Sequence, residues 1–173
     1  PDNLLWQALS RCVEAFELRC PPLDVEVEVH VPPGRGMGSS ATAVAAGLAL
    51  AAHFGGKTLD ALALAQLGTR IEGHPDNIVP ALVGGLCLCL EEGHLRFEPV
   101  ESLGLLALTP RHEVSTKEAR AALPSFVSMK DAVFNLSRAS LLAVALATGK
   151  LDSIRALDLV RDRLDPRGGR HGV

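Results

Sequence analysis

The stretch Pro32-Pro-Gly-Arg-Gly-Met-Gly-Ser-Ser-Ala41 is the part of the sequence on which the prediction of the fold depends. Glycine at every second position predicts a loop whose backbone turns with positive φ, and the serine pair predicts the start of a helix. The first turn of a helix has backbone N–H groups without a partner and the positive end of the helix dipole, so an anion such as phosphate is stabilised there. The simplest alternative is a glycine-rich turn that holds no ligand.

The spacing of the loop excludes two other phosphate-binding motifs. A Walker A loop requires Gly-Lys-Ser/Thr, which does not follow these glycines. The dinucleotide-binding fingerprint requires a different glycine spacing and an acidic residue about twenty positions further on.

Hydrophobic periodicity around the loop predicts both helices and strands. Helices are predicted over about 3–19, 40–54, 58–71, 132–146 and 151–164, and a polar turn is predicted over 72–77. Strands are predicted over 25–31, 86–90, 94–99 and 103–109, the second and third of them forming a hairpin. A capping box at Ser115 and Glu118 predicts one more helix, ending near 123–124. We therefore expect an α+β fold.

Composition limits the kind of protein. The 173 residues carry 17 Lys+Arg and 20 Asp+Glu, a net charge of −3, so no basic surface for nucleic acid is expected. Although 47% of the residues are hydrophobic, no uninterrupted apolar run reaches the ~18 residues of a membrane span. None of the four cysteines forms a Cys-x-x-Cys pair, so we expect reduced thiols in a cytoplasmic protein.

Four segments in order along the chain give a family resemblance. The glycine loop resembles the phosphate loop of the GHMP kinases. Asp2-Asn3, the run Glu72-Gly-His-Pro-Asp-Asn77 and the run Ser115-Thr-Lys-Glu-Ala-Arg120 are similar to segments of one branch of that family, the homoserine kinases. The resemblance implies transfer of a phosphoryl group from ATP to the hydroxyl group of L-homoserine, giving O-phospho-L-homoserine for threonine biosynthesis.

The resemblance also assigns roles to individual residues. It implies that ATP is bound by Asn3, Pro33, Gly34, Arg35, Gly36, Met37, Gly38, Ser39 and Ser40. It implies that Ser40 and Glu72 bind Mg²⁺ and that Arg120 binds the carboxylate of homoserine. Asp76 and Asn77 are the implied catalytic and substrate-binding pair, with Asp76 gripping the ammonium or hydroxyl group and Asn77 orienting the attacking oxygen. His74 either orients Asp76 or is a solvated turn residue.

Each of these residues also has a structural interpretation. Glu72 could be a surface carboxylate at a helix end, and Asp76 with Asn77 could cap a helix or form an Asx turn. Arg120 could pair with Glu118 or Asp131, and such exposed pairs contribute little to stability. For the whole chain, the alternatives are another GHMP kinase, such as mevalonate kinase, or an inactive nucleotide-binding fragment.

The resemblance covers only the middle of the expected protein. Homoserine kinases are expected to begin with strands carrying a Pro-x-Thr-Ser-Ala-Asn-Leu-Gly motif and to end with a Ser-Gly-x-Gly-Pro segment, and neither is present. We therefore expect a truncated chain. It would comprise part of an ATP-binding domain over 1–100, part of a ferredoxin-like domain over 101–164 and a disordered or unrelated tail over 165–173. The family resemblance also implies a homodimer.

Overall fold

The computed structural model of the chain describes residues 3–90, 93–101, 103–108, 121 and 123–155. The chain divides into two compact units, Pro1–Pro99 with Gly104–Ser125, and Val100–Leu103 with Phe126–Val173. The domain boundaries expected from the sequence, at 100 and 164, stay a prediction.

The first unit contains four helices and a hairpin among its described residues. The helices are α1 (Leu4–Ala15), α2 (Ser39–Phe54), α3 (Ala61–Glu72) and α4 (Pro75–Val83). Strands β1 (Leu86–Cys89) and β2 (His94–Phe97) pair antiparallel, with Leu86 opposite Phe97 and Cys89 opposite His94. This mixture of helix and strand confirms the α+β class and the predicted hairpin.

Small side chains let α1 and α2 approach closely. Gly47 lies at the crossing, where an added Cβ would stand 2.2 Å from the carbonyl oxygen of Leu5. Ala8, Val44 and Leu48 are fully buried around it and form the centre of the core. The alanine-rich composition of α2 therefore serves packing, as well as placing the glycine loop at the start of the helix.

A sharp junction joins α3 to α4. Gly73 ends α3 in the left-handed region, at φ +86°, and Pro75 occupies the first turn of α4. Proline suits that position because its fixed φ is helical and its missing N–H is not needed there. The sequence pattern predicted a polar turn over 72–77, and the prediction was wrong for 72, which ends α3, and for 75–77, which begin α4.

Two predicted strands are absent from the described residues. Residues 25–30 have no regular secondary structure, and Val27 and Val29 are more than half exposed. Residues 103–108 likewise form no strand, and Leu105 and Leu106 are more than four-fifths exposed. A strand requires a hydrogen-bonding partner, and within the described part of the chain the only pairing is that of β1 with β2.

The second unit contains α5 (Met129–Thr148) and α6 (Asp152–Arg155) among its described residues. Gly149 ends α5 at φ +74°, as the sequence predicted. By length and composition α5 is the one described helix that could cross a membrane, and little of it is buried. A single helix of this kind does not distinguish a membrane span from a core helix, because both are long and apolar. The predicted helix after Ser115 and most of that over 151–164 lie outside the described residues.

Candidate functional site

The glycine loop has the backbone geometry that its sequence predicted. Gly34, Gly36 and Gly38 have φ values of +65°, +71° and +72°, a region in which a side chain would be strained. Gly38 is the N-cap of α2, and no side chain caps the helix. Because the first bond inside α2 runs from the Thr42 N–H to the Gly38 carbonyl oxygen, the N–H groups of 39–41 have no acceptor in the helix.

The structure brings Ser40 and Glu72 together across 32 positions of sequence. The Ser40 hydroxyl donates a hydrogen bond of 2.5 Å to Oε1 of Glu72. Ser40 is exposed in the first turn of α2, and Glu72 is half-buried at the last position of α3. The predicted pair of metal-binding residues is therefore one local arrangement of hard oxygen donors.

Glu72 occupies an electrostatically unfavourable place in its own helix. A carboxylate at a helix C-terminus faces the negative end of the dipole, which costs about 0.3–1 kcal/mol. The same carboxylate lies beside the start of α2, where the dipole is positive, and Ser40 donates to it. Its position is thus explained by the junction of two helices rather than by α3 alone.

Asp76 and Asn77 lie in the first turn of α4, on the other side of the junction. Asp76 is exposed, and its carboxylate contacts Nδ1 of the half-buried His74 ring. The Asn77 amide adjoins the loop, because a Cβ added to Gly38 would lie 3.5 Å from its Oδ1. The loop, Glu72 and Asn77 therefore belong to one surface, and His74 has the orienting contact that the sequence left open.

Of the other predicted site residues, Asn3 is not joined to this surface by a described contact. Asn3 caps α1, its side-chain oxygen accepting from the N–H groups of Leu5 and Trp6 at 3.0 and 3.3 Å. Arg120 lies outside the described residues. Pro33 and Met37 are exposed in the loop, and Arg35 is half-buried there.

The sequence reasoning missed one supporting contact in the loop. The Thr42 hydroxyl donates to the Gly38 carbonyl oxygen at 3.0 Å, which ties the first turn of α2 to the last glycine. A threonine four residues after a helix cap can make this bond to the preceding turn, so its spacing was the available signal.

The hairpin contacts the first turn of α4, the turn that carries Asp76 and Asn77. The Cys89 thiol donates to the carbonyl oxygen of Pro75 at 3.6 Å, which links β1 to the first turn of α4. Burial raises the pKa of Cys89, and the charges of Cys87 and Asp76 raise it further. This thiol therefore stays protonated and serves as a donor rather than a nucleophile.

Comparisons with known proteins agree with this arrangement. Residues 3–85 match the family described as GHMP kinases N terminal domain. Homoserine kinase of Deinococcus radiodurans is 41% identical over 158 residues, which are 89% of this chain and 52% of that protein. Homoserine kinase of Thermus thermophilus is 38% identical over 166 residues, 94% of this chain and 56% of that protein.

Solved structures give the same fold. A structure described as a homoserine kinase from Listeria monocytogenes superposes with a TM-score of 0.63 at 25% identity, over 83% of this chain and 50% of that one. A homoserine kinase structure from Cytophaga hutchinsonii superposes with a TM-score of 0.66 at 22% identity, and at that identity shows the fold alone.

The glycine loop, the helix that follows it and the matched segment define a class of protein: residues 3–85 match the GHMP kinases. Within that class the chain is homologous to homoserine kinases. It spans about half the length of the curated relatives it matches.

Proposed function

We propose that this chain carries the ATP-phosphate site of a kinase that phosphorylates the hydroxyl group of L-homoserine. The observation that carries the proposal is the hydrogen bond between Ser40 and Glu72, which places a carboxylate beside the uncapped start of α2. The homology to homoserine kinases supports the choice of substrate.

The start of α2 is suited to the phosphates of ATP. Its first-turn N–H groups have no acceptor within the helix, and its N-cap is a glycine without a side chain. Backbone atoms can therefore approach a phosphate closely, and the dipole favours the negative charge. The exposed Ser40 hydroxyl adds a donor at the same place.

A divalent cation fits the chemistry of these groups. A phosphate at the start of α2 would be repelled by the Glu72 carboxylate, and a cation between the two anions removes that repulsion. Mg²⁺ takes oxygen ligands, keeps several waters and needs few protein ligands, so Ser40 and Glu72 are a sufficient protein contribution. When bound, the ion would neutralise charge on the phosphate oxygens. No described group of three or more His, Cys, Asp and Glu residues forms a separate metal site.

Phosphoryl transfer requires positioning of the acceptor more than covalent chemistry. Asp76 is exposed, so its carboxylate can accept hydrogen bonds from the substrate's ammonium or hydroxyl group, while His74 holds it in place. The Asn77 amide lies beside Gly38, which supports our proposal that it orients the attacking oxygen towards a phosphate in the loop. Arg120 remains our candidate for the substrate carboxylate, because a guanidinium can donate two parallel hydrogen bonds to it.

Thermal unfolding of the 173-residue chain with ATP, in the presence and absence of MgCl₂, tests the nucleotide part. We expect ATP to raise the melting temperature and Mg²⁺ to raise it further, because a ligand that binds only the folded state stabilises it. Ser40→Ala and Glu72→Gln should remove the Mg²⁺-dependent increment. Glu14→Gln, an exposed position on α1, is the matched control and should retain it. If ATP gives no stabilisation, the assignment of the loop is wrong.

Turnover is tested separately with the same chain. ADP release and ³¹P spectra would be followed with L-homoserine, and with mevalonate as the competing acceptor. Phosphorylation of homoserine alone supports the proposal, whereas preference for mevalonate would assign another GHMP kinase activity. ATP binding without transfer to either acceptor would contradict catalysis by this chain and support the nucleotide-binding alternative. Sedimentation of the same sample tests the homodimer that the family resemblance implies.

A further inference from the structure

A cavity lies in the first unit, away from the glycine loop. Its volume is about 360 Å³, within the range of small-molecule sites. It is lined by one face of α3, the N-terminal half of α4 and the described hairpin residues Leu90, Gly93 and His94. The lining residues on which the argument rests are Leu62, Gln66, Arg70, Pro75, Val79 and His94.

The cavity combines an apolar floor with a polar rim. Leu62, Pro75 and Val79 supply hydrocarbon surface. Arg70 supplies a positive charge and makes no hydrogen bond or ion pair with another described residue. A guanidinium that has no partner among the described residues can bind a ligand carboxylate through two parallel hydrogen bonds. Gln66 and His94 bring further hydrogen-bonding groups to the same cavity.

This cavity and the candidate active site lie on opposite faces of α4, as the helix periodicity shows. Pro75 and Val79 are four residues apart on α4 and share a face, whereas Asn77 lies on the opposite face. The two sites nevertheless share the junction of α3 with α4, because Pro75 stands between His74 and Asp76. A ligand that contacts Pro75 therefore contacts the backbone that positions the Asp76 carboxylate.

We propose that this cavity is a second ligand site, which takes a small carboxylate with a short branched hydrocarbon tail. The tail would cover Leu62 and Val79, and the carboxylate would pair with Arg70. The single unpaired cation of the described lining, beside hydrocarbon surface, favours a monoanion with an apolar tail over a polyanionic nucleotide. The site does not depend on ATP binding and can be tested without nucleotide.

The probe is 4-methylpentanoate, and its uncharged isostere 4-methylpentanamide is the comparison. Protein-observed NMR titration of the 173-residue chain should give a dissociation constant of about 1–10 mM for the acid, as expected for a ligand of this size. The amide should bind on the order of fivefold more weakly, the upper end of what an exposed ion pair contributes. Arg70→Met should weaken binding of the acid to the same degree, and Arg11→Met on α1 should leave the dissociation constant of the acid unchanged.

A filling variant tests the cavity independently of charge. Leu62→Trp should abolish binding of both probes, and since Leu62 is 40% exposed the larger ring can be accommodated without repacking the core. Circular dichroism and thermal unfolding would confirm that each variant folds. Failure of the acid to bind at 20 mM, equal binding of acid and amide, or full binding by folded Arg70→Met would each overturn the proposal.

Discussion

Gly47 lies at a close contact between α1 and α2, and its replacement by alanine sets two known effects against each other. Alanine is favoured over glycine in a helix interior by about 1 kcal/mol. The added Cβ, however, would lie 2.2 Å from the Leu5 carbonyl oxygen, 2.9 Å from the Ala8 Cβ and 3.0 Å from the Leu9 N. A carbon–oxygen contact is normally about 3.3 Å, so α1 would have to move by about 1 Å.

The size of the expected effect follows from this conflict. The obstructing atoms at Leu5 and Leu9 are backbone, which cannot rotate away, so we expect an overpacking cost near the upper end of the usual range, about 3 kcal/mol. Subtracting the gain in helix propensity leaves Gly47→Ala destabilised by about 2 kcal/mol.

Urea unfolding followed by fluorescence measures this difference. Trp6 is the single tryptophan and lies half-buried on α1, next to the contact being perturbed. Ala49→Gly, at an exposed position of the same helix, should lose about 1 kcal/mol by propensity alone and is the matched control. If Gly47→Ala is as stable as the parent chain while the control loses stability as expected, the proposed close contact of α1 and α2 is wrong.

Three further predictions concern stability and the loop. Asn3→Ala should lose about 1 kcal/mol of unfolding free energy, because it removes the acceptor for two N–H groups, and Asn3→Asp should retain most of it. Burial and the neighbouring Cys20 raise the pKa of Cys12 to about 11 from 9.0. Stability should therefore be complete below pH 9 and fall between pH 9 and 11, a decline that Cys12→Ala should reduce in urea titrations. Gly38→Ala should lower the melting temperature and the ATP-induced shift, since φ is +72° there; an unchanged shift would exclude the loop from ATP binding.

The parts of the fold that the sequence predicted are those decided by neighbouring residues. The positive φ of the loop glycines, the end of α5 at Gly149 and the hairpin around Gly93 follow from local backbone chemistry. Helix α4 was missed because Pro75 and Pro80 lie within nine residues. The first is favourable at a helix start, and the second removes only the bond that would run to the Asp76 carbonyl.

The predictions that were wrong depend on distant parts of the chain. The alternation of Val27 and Val29 with charged residues is typical of a half-buried strand, but a pattern does not supply the strand that would pair with it. The same holds for Leu105 and Leu106, whose hydrophobicity predicts burial but not the surface that would cover them. Whether such a segment forms a strand depends on a distant partner, and the sequence of the segment itself does not specify one. The chain spans about half the length of its relatives.

The candidate site combines both kinds of information. The residue types at the loop and the acidic run follow from the sequence, but the meeting of Ser40 with Glu72 depends on how α2 and α3 cross. The contact with Ser40 also changes the interpretation of Glu72. A carboxylate at the last position of a helix interacts unfavourably with the negative end of the helix dipole, so a role in stabilising α3 does not explain it. Because the Glu72 carboxylate does not help α3, we explain its position beside Ser40 by the proposed binding of Mg²⁺ rather than by the stability of α3. Glu72→Gln should therefore change the melting temperature of the unliganded chain little, because the weakened contact with the start of α2 offsets the relief at the end of α3, while removing the Mg²⁺-dependent increment with ATP. A large loss of stability without ligand would show that the carboxylate has a structural role instead.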